Sequence, residues 1–100
     1  MRYVVDSFLK PLASTTMRIY LQTSLTQDQP LRFCHLMLQE DLLDGWTLIR
    51  ESGLQGKAGR VKQAHFPDWD KAEHDLIAAR DDQIRKGFRV VFSQGNNVRP

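Results

Sequence analysis

The chain has 100 residues, 41% of them hydrophobic and 9% aromatic, enough for one small core and short for two domains. Its formal charge is +2 and its isoelectric point about 8.9. That excludes a protein that coats a polyanion with uniform high charge, so any affinity for an anion has to come from a local cluster. Cys34 is the single cysteine, which rules out an internal disulfide or a cysteine-based metal site and fits a reducing, cytoplasmic setting. No run approaches the roughly 18 apolar residues of a membrane span, and Asp6, Lys10 and Pro11 interrupt the amino terminus too early for an export signal.

Residues 1–16 read as an amino-terminal arm, with Tyr3, Val4, Phe8, Leu9 and Leu12 as its apolar content and Ala13-Ser14-Thr15-Thr16 as a linker. Phe8 and Leu9 are candidates for docking a partner, because a small domain does not need this extra apolar material. From Met17 to Ser24, Ile19, Leu21 and Thr23 alternate with Arg18, Tyr20 and Gln22, the period-two pattern of a half-buried strand. Thr26-Gln27-Asp28-Gln29-Pro30 breaks the pattern, and Leu31 to Gln39 supplies a second strand containing Cys34, read as a small buried hydrophobe. Asp44-Gly45 is a strong turn signal before a third strand from Trp46 to Arg50, with Trp46 and Leu48 facing the core.

The next segment carries the most specific spacing in the chain. Gly53, Gly56 and Gly59 recur every third residue and read as a tight, exposed connection between strands. Arg50, Lys57, Arg60 and Lys62 surround it with positive charge against a single acid, Glu51. Residues 50–62 thus hold four bases and one acid, whereas residues 68–86 hold four bases and six acids, so the two charge signs separate along the sequence.

Arg60 to Phe66 reads as a fourth strand. Pro67-Asp68 opens a helix with Asp68 as N-cap and Asp70 and Glu73 near the positive end of its dipole. Trp69, Ala72, Leu76, Ile77, Ala79 and Ile84 form its apolar face, and Asp81–Arg85 and Asp82–Lys86 are acid-first pairs four apart. Gly87 ends the helix, Phe88 to Phe92 returns to the sheet, and residues 93–100 have the composition of a flexible tail. The expected architecture is α+β, an antiparallel sheet packed by one helix in the carboxy-terminal half.

Chemistry finds little support. His35, His65 and His74 fall on two strands and a helix without metal-ligand spacing, and adjacent Cys34 and His35 face opposite sides of a strand. The glycine loop lacks the Gly-Lys-Ser/Thr ending of a nucleotide-binding loop and leads into a strand. No catalytic residue, metal or cofactor is expected. The helix acids read as a solvated face, with Trp69 partly exposed at the sheet edge.

Met17 to Phe92, about three quarters of the chain, resembles the WGR domain, named for its Trp-Gly-Arg motif. Gly45, Trp46, Leu48 and Arg50 stand close to the family's Gly-x-Trp-x-Leu-x-Arg strand. Gly53, Gly56 and Gly59 occupy the three motif glycines, and Ala72 and Lys86-Gly87-Phe88 match its helix and the helix's ending. Ser52 stands where the motif has Trp, and Leu54 where it has Arg. The resemblance implies a non-catalytic module of the kind found in poly(ADP-ribose) polymerases and small bacterial proteins. In the polymerases, the motif's Trp and Arg help to hold a DNA end and neighbouring domains.

Losing that Trp and Arg removes a surface for stacking and a fork for phosphate. The basic rim of Arg50, Lys57, Arg60 and Lys62 at the Gly53 turn remains and points to nucleic acid, DNA ahead of RNA. The alternative is a protein-interaction subunit that keeps the fold and docks through Leu54, Phe8 and Leu9, since a leucine in a basic loop suits a protein better than phosphate.

Overall fold

The structure, a computed structural model, describes residues 15–24 and 29–95. Phe8 and Leu9, with the rest of the arm before Thr15, lie outside the described residues, as do residues 25–28 and 96–100. Five strands and one helix follow in chain order: β1 (Thr15–Thr23), β2 (Arg32–Glu40), β3 (Trp46–Leu54), β4 (Arg60–Phe66), α1 (Trp69–Arg85) and β5 (Phe88–Gly95). The strands form one antiparallel sheet in the order β4-β3-β2-β1-β5, with α1 packed on one face. This is the α+β architecture that the alternation and the capped helix predict.

The core is one-sided. Ile19 and Leu21 of β1, Cys34, Leu36 and Leu38 of β2, and Leu48 of β3 are buried against Ala72, Leu76 and Ala79 of α1. Each fully buried leucine contributes roughly 1.5–3 kcal/mol by leaving water. Met17, Trp46, Phe66, Trp69 and Phe88 pack around the margin. Trp69 meets Trp46 edge-on, with ring centroids 4.8 Å apart at 76°, and its indole Nε1 donates to Glu73 Oε1 at 3.1 Å.

Asp68 caps α1 by accepting from the Lys71 amide, and Gly87 follows the helix at φ 102°, a left-handed turn suited to glycine. The helix differs from its sequence reading in two details. The inward stripe continues from Ala79 to Gln83, leaving Ile84 exposed, because steps of four, three and four residues keep Ala72, Leu76, Ala79 and Gln83 in line. Asp82 takes both Arg85 and Lys86, at 3.3 and 3.1 Å, while Asp81 pairs with its neighbour Arg80 instead of Arg85.

Two boundaries also move. β1 begins at Thr15 instead of after a linker, and β5 runs through Ser93 to Gly95, residues expected in the tail. Pairing with β1 explains the extension, since Ile19 lies opposite Ser93 and Met17 opposite Gly95.

The β2–β3 turn is organised by Asp41. Its carboxylate accepts from the Leu43 and Gly45 amides at 2.9 and 3.2 Å, from Thr47 Oγ1 at 2.7 Å, and makes a 2.7 Å contact with His65 Nδ1 on β4. In this turn Asp44, not Gly45, adopts the left-handed conformation, at φ 64°. Gly45 is required for space, since a Cβ there would sit 2.5 Å from the Phe66 carbonyl oxygen.

Burial pushes the Asp41 carboxyl up, but the bonds from Thr47, His65 and the Leu43 amide more than offset it, leaving its pKa below the ordinary carboxylate value. A carboxyl depressed on folding adds stability above its unfolded-state pKa and loses that contribution as pH falls through the folded value. Asp41→Ala is therefore expected to cost about 1–3 kcal/mol at neutral pH, since it strands two amides and a hydroxyl. Asp41→Asn should lose the part that varies with pH, so the gap between its urea midpoint and the parent's should begin to close below about pH 3.9 and go on closing as pH falls through the folded-state value. Urea melts across pH check both.

Candidate nucleic-acid interface

β3 continues through Ser52, Gly53 and Leu54, four residues beyond its sequence-based end. Gly53 and Gly59 explain why. They face one another across the β3–β4 hairpin, where a Cβ on Gly53 would lie 3.0 Å from the Gly59 Cα. A Cβ on Gly59 would lie 2.7 Å from the Ser52 carbonyl oxygen and 3.0 Å from Phe33 Cζ. Gly56 alone has positive φ, 86°, in open space at the turn, where the Lys57 amide bonds back to the Leu54 carbonyl at 3.1 Å. The three glycines thus divide their tasks: two admit close backbone approach and one turns the chain. Gly53, a candidate binding residue in the sequence, is enclosed by Gly59, the Ala58 carbonyl and Phe33.

Register decides where the basic residues point. Arg50 lies opposite Lys62 and Ser52 opposite Arg60, while Leu48, two residues before Arg50, is buried beneath the helix. Period two therefore puts Arg50, Arg60 and Lys62 on the α1 side of the sheet, with exposed Lys57 in the turn between their strands. None of the four forms an ion pair among the described residues. Leu54 ends the same row, opposite Arg32, and is half-buried instead of projecting from the loop tip.

The topology adds bases that sequence proximity does not show. Arg32 joins the helix-side row through Leu54, and the carboxy-terminal end of α1 arrives at this same end of the sheet, where Phe88 pairs with Thr23. Burial pushes the Cys34 thiol up, and the positive fields of Arg50 and Lys86 oppose that shift. The opposite end carries Glu40, Asp41, Asp44, the N-cap Asp68, and Asp70 and Glu73 in the first turns of α1. A shallow cavity of about 430 Å³ there is lined by Phe66, Asp70, Lys71, His74 and Asp75, two carboxylates beside one lysine. The charge separation along the sequence becomes a partial separation between the two ends of the molecule, with Asp81 and Asp82 at the basic end paired to Arg80, Arg85 and Lys86.

The three histidines stay apart. His35 lies on the sheet face away from α1, His65 is held by Asp41, and His74 is exposed on the helix. Among the described residues no group of three or more His, Cys, Asp or Glu could hold a metal ion, and no helix is long and apolar enough to cross a membrane. No protein-family model matches the chain, and no curated protein or solved structure matches it.

The two glycine roles predict opposite tolerance. Gly59→Ala and Gly59→Asn should both lose about 1–3 kcal/mol, because the clash is with backbone and cannot be relieved by a rotamer change. Gly56→Ala should cost about 1–2 kcal/mol through its left-handed φ, whereas Gly56→Asn should recover most of that, asparagine tolerating this region. Urea midpoints of the four variants separate crowding from torsional strain.

Proposed function

We propose that this protein is a non-catalytic, WGR-like nucleic-acid-binding module that grips phosphates at its basic end. The observation that carries the reading is the β3–β4 register, which sets Arg50 against Lys62 and Arg60 one pair further on, with no carboxylate partner among the described residues. Unpaired like charges held side by side are unfavourable in the free protein, and a phosphate backbone relieves that repulsion. Exposed Lys57 extends the cluster to the turn. Such contacts hold a backbone without reading sequence.

Ser52 and Leu54 replace the side chains that, in the resembled family, stack and fork, so grip on the helix side rests on charge. The competing reading, a protein-docking subunit, relied on Leu54, Phe8 and Leu9. Half-buried Leu54 offers a partner less apolar surface than a leucine at the loop tip would, which favours phosphate.

Three or four phosphate contacts give a slope of log K against log salt of roughly −3 to −4 on duplex DNA. Fluorescence anisotropy of a labelled duplex, titrated at several salt concentrations, should show that slope. Lys57→Glu/Arg60→Glu, at two exposed positions, should abolish binding while leaving the melting temperature unchanged. Binding indifferent to salt or to the double substitution would sink the proposal.

A further inference from the structure

Among the described residues nothing packs on the sheet face opposite α1, and register lays its side chains out in rows. The central row, from β5 to β4, reads Phe92, Tyr20, His35, Glu51, Val61. Phe33 stands one row nearer the glycine loop, stacked on Tyr20 at 6.1 Å and 17°, and Tyr20 meets the edge of His35 at 5.4 Å. Phe92 and Val61 at the two ends of the row are 47% and 56% exposed. This is a band of rings on the sheet face, half-buried at Tyr20, Phe33 and His35 and exposed at Phe92.

The band connects to the glycine loop. Gln55 Oε1 accepts from the Tyr20 hydroxyl at 3.1 Å and from Gln22 Nε2 at 3.2 Å. The Gln55 amide also bonds to the Leu31 carbonyl at 2.8 Å. The turn that carries Lys57 is therefore fastened to the aromatic row. Arg18 and Arg89 flank the rings, in the rows on either side of the central one, and neither forms an ion pair among the described residues. Arg18 Nε is buried without a hydrogen-bond partner. Glu51 is the single carboxylate in these three rows. Burial and the nearby Arg18 hold the His35 pKa below its ordinary value against the opposing field of Glu51.

We propose that the open face receives the bases of a single-stranded nucleic acid, stacked along Phe92, Tyr20 and Phe33, while Arg18, Arg89 and Lys57 of the turn hold its phosphates. This rests on the nucleic-acid reading above and names its substrate class. Every base has a π-face, so aromatic stacking accepts any sequence, whereas a duplex keeps those faces inside its own stack. The two arginines suit a polyanion laid across the sheet, and the Gln55 link makes the face continuous with the basic end.

The test compares a labelled single strand of about 12 nucleotides with its duplex, using the parent, Phe92→Ala, Tyr20→Leu/Phe92→Ala, Tyr20→Phe and Lys57→Glu/Arg60→Glu. Circular dichroism melts confirm that each variant folds. The parent should prefer the single strand. Tyr20→Leu/Phe92→Ala should weaken single-strand binding about tenfold or more and leave duplex binding unchanged. Phe92→Ala alone, at an exposed edge position, should shift it the same way by less, and Tyr20→Phe, which keeps the ring and loses only the bond to Gln55, should weaken single-strand binding far less than Tyr20→Leu/Phe92→Ala. Single-strand affinity untouched by the aromatic substitutions but abolished by the loop substitutions would overturn this inference and leave phosphate binding standing. No binding of either oligonucleotide at low salt would overturn both. A parent dimer that Phe92→Ala converts to monomer, with no single-strand binding, would assign the face to a second copy of the chain and overturn the inference.

Discussion

Packing of a single helical stripe against three central strands is the constraint from which the rest of this structure follows. Leu76 lies between Ala72 and Ala79, whose small side chains let the helix backbone approach, and the buried receiving residues come from β1, β2 and β3, with Phe66 of β4 and Phe88 of β5 at the margin. One helix can seal one face, so the fold leaves a second face and two edge strands to be stabilised by other means. β4 carries Arg60 and Lys62, charges that discourage edge-to-edge pairing. β5 is irregular where Val91 falls between the pairs Tyr20–Phe92 and Leu21–Val90, a bulge that interrupts its edge.

The same constraint fixes the electrostatic layout. A helix that starts after β4 and ends before β5 must run from one end of the sheet to the other. Its acidic first turns therefore lie with the Asp41 turn, and Arg85 and Lys86 come to the glycine-loop end. Both distributions agree with the helix dipole, acids near its positive end and bases near its negative end. The helix thus serves local stability, and its placement separates charge over the whole domain. That long-range order needs no strong ion pair. The pairs α1 does make, Arg80–Asp81, Arg85–Asp82 and Lys86–Asp82, are surface contacts of small individual value.

Much of this was legible because it is local. Alternation along residues 17–23 and 32–38 marks half-buried strands, and Asp68 before an apolar stripe marks a helix start. What escaped depends on residues far apart in sequence. β3 looked finished at Arg50 because glycine weakens a strand, yet Gly53 needs to be glycine for the partner strand to come close at Gly59. Ile84 looked like core by type, and Gln83 took the inward place by angle. Arg32 and Lys86 join the basic end through pairing and crossover, and Asp41 reaches His65 across a turn and a neighbouring strand. The alternation that places Tyr20, Phe33 and His35 on one side was visible strand by strand, but period two along β5 groups Phe92 with Phe88 and Val90, and the bulge at Val91 turns it to the open face. That they form one face needed the strand order.

A one-sided core also bears on which positions around the glycine hairpin are free to vary. Ser52 and Leu54 stand at the end of β3, beyond the last buried residue of that strand, Leu48, so neither belongs to the core. Side chains at these positions can change with little cost to stability, while Gly53 between them cannot, because Gly59 and Phe33 close on it. Sequence change is thus tolerated at Ser52 and Leu54 and resisted by packing at Gly53 and Gly59, whereas Gly56 is constrained by its backbone conformation. Phe33 is common to both sides of this arrangement: its ring covers the glycine crossing and stacks on Tyr20. The residue that locks the hairpin is therefore also a member of the aromatic row, so the geometry of the basic turn and that of the open face are set together.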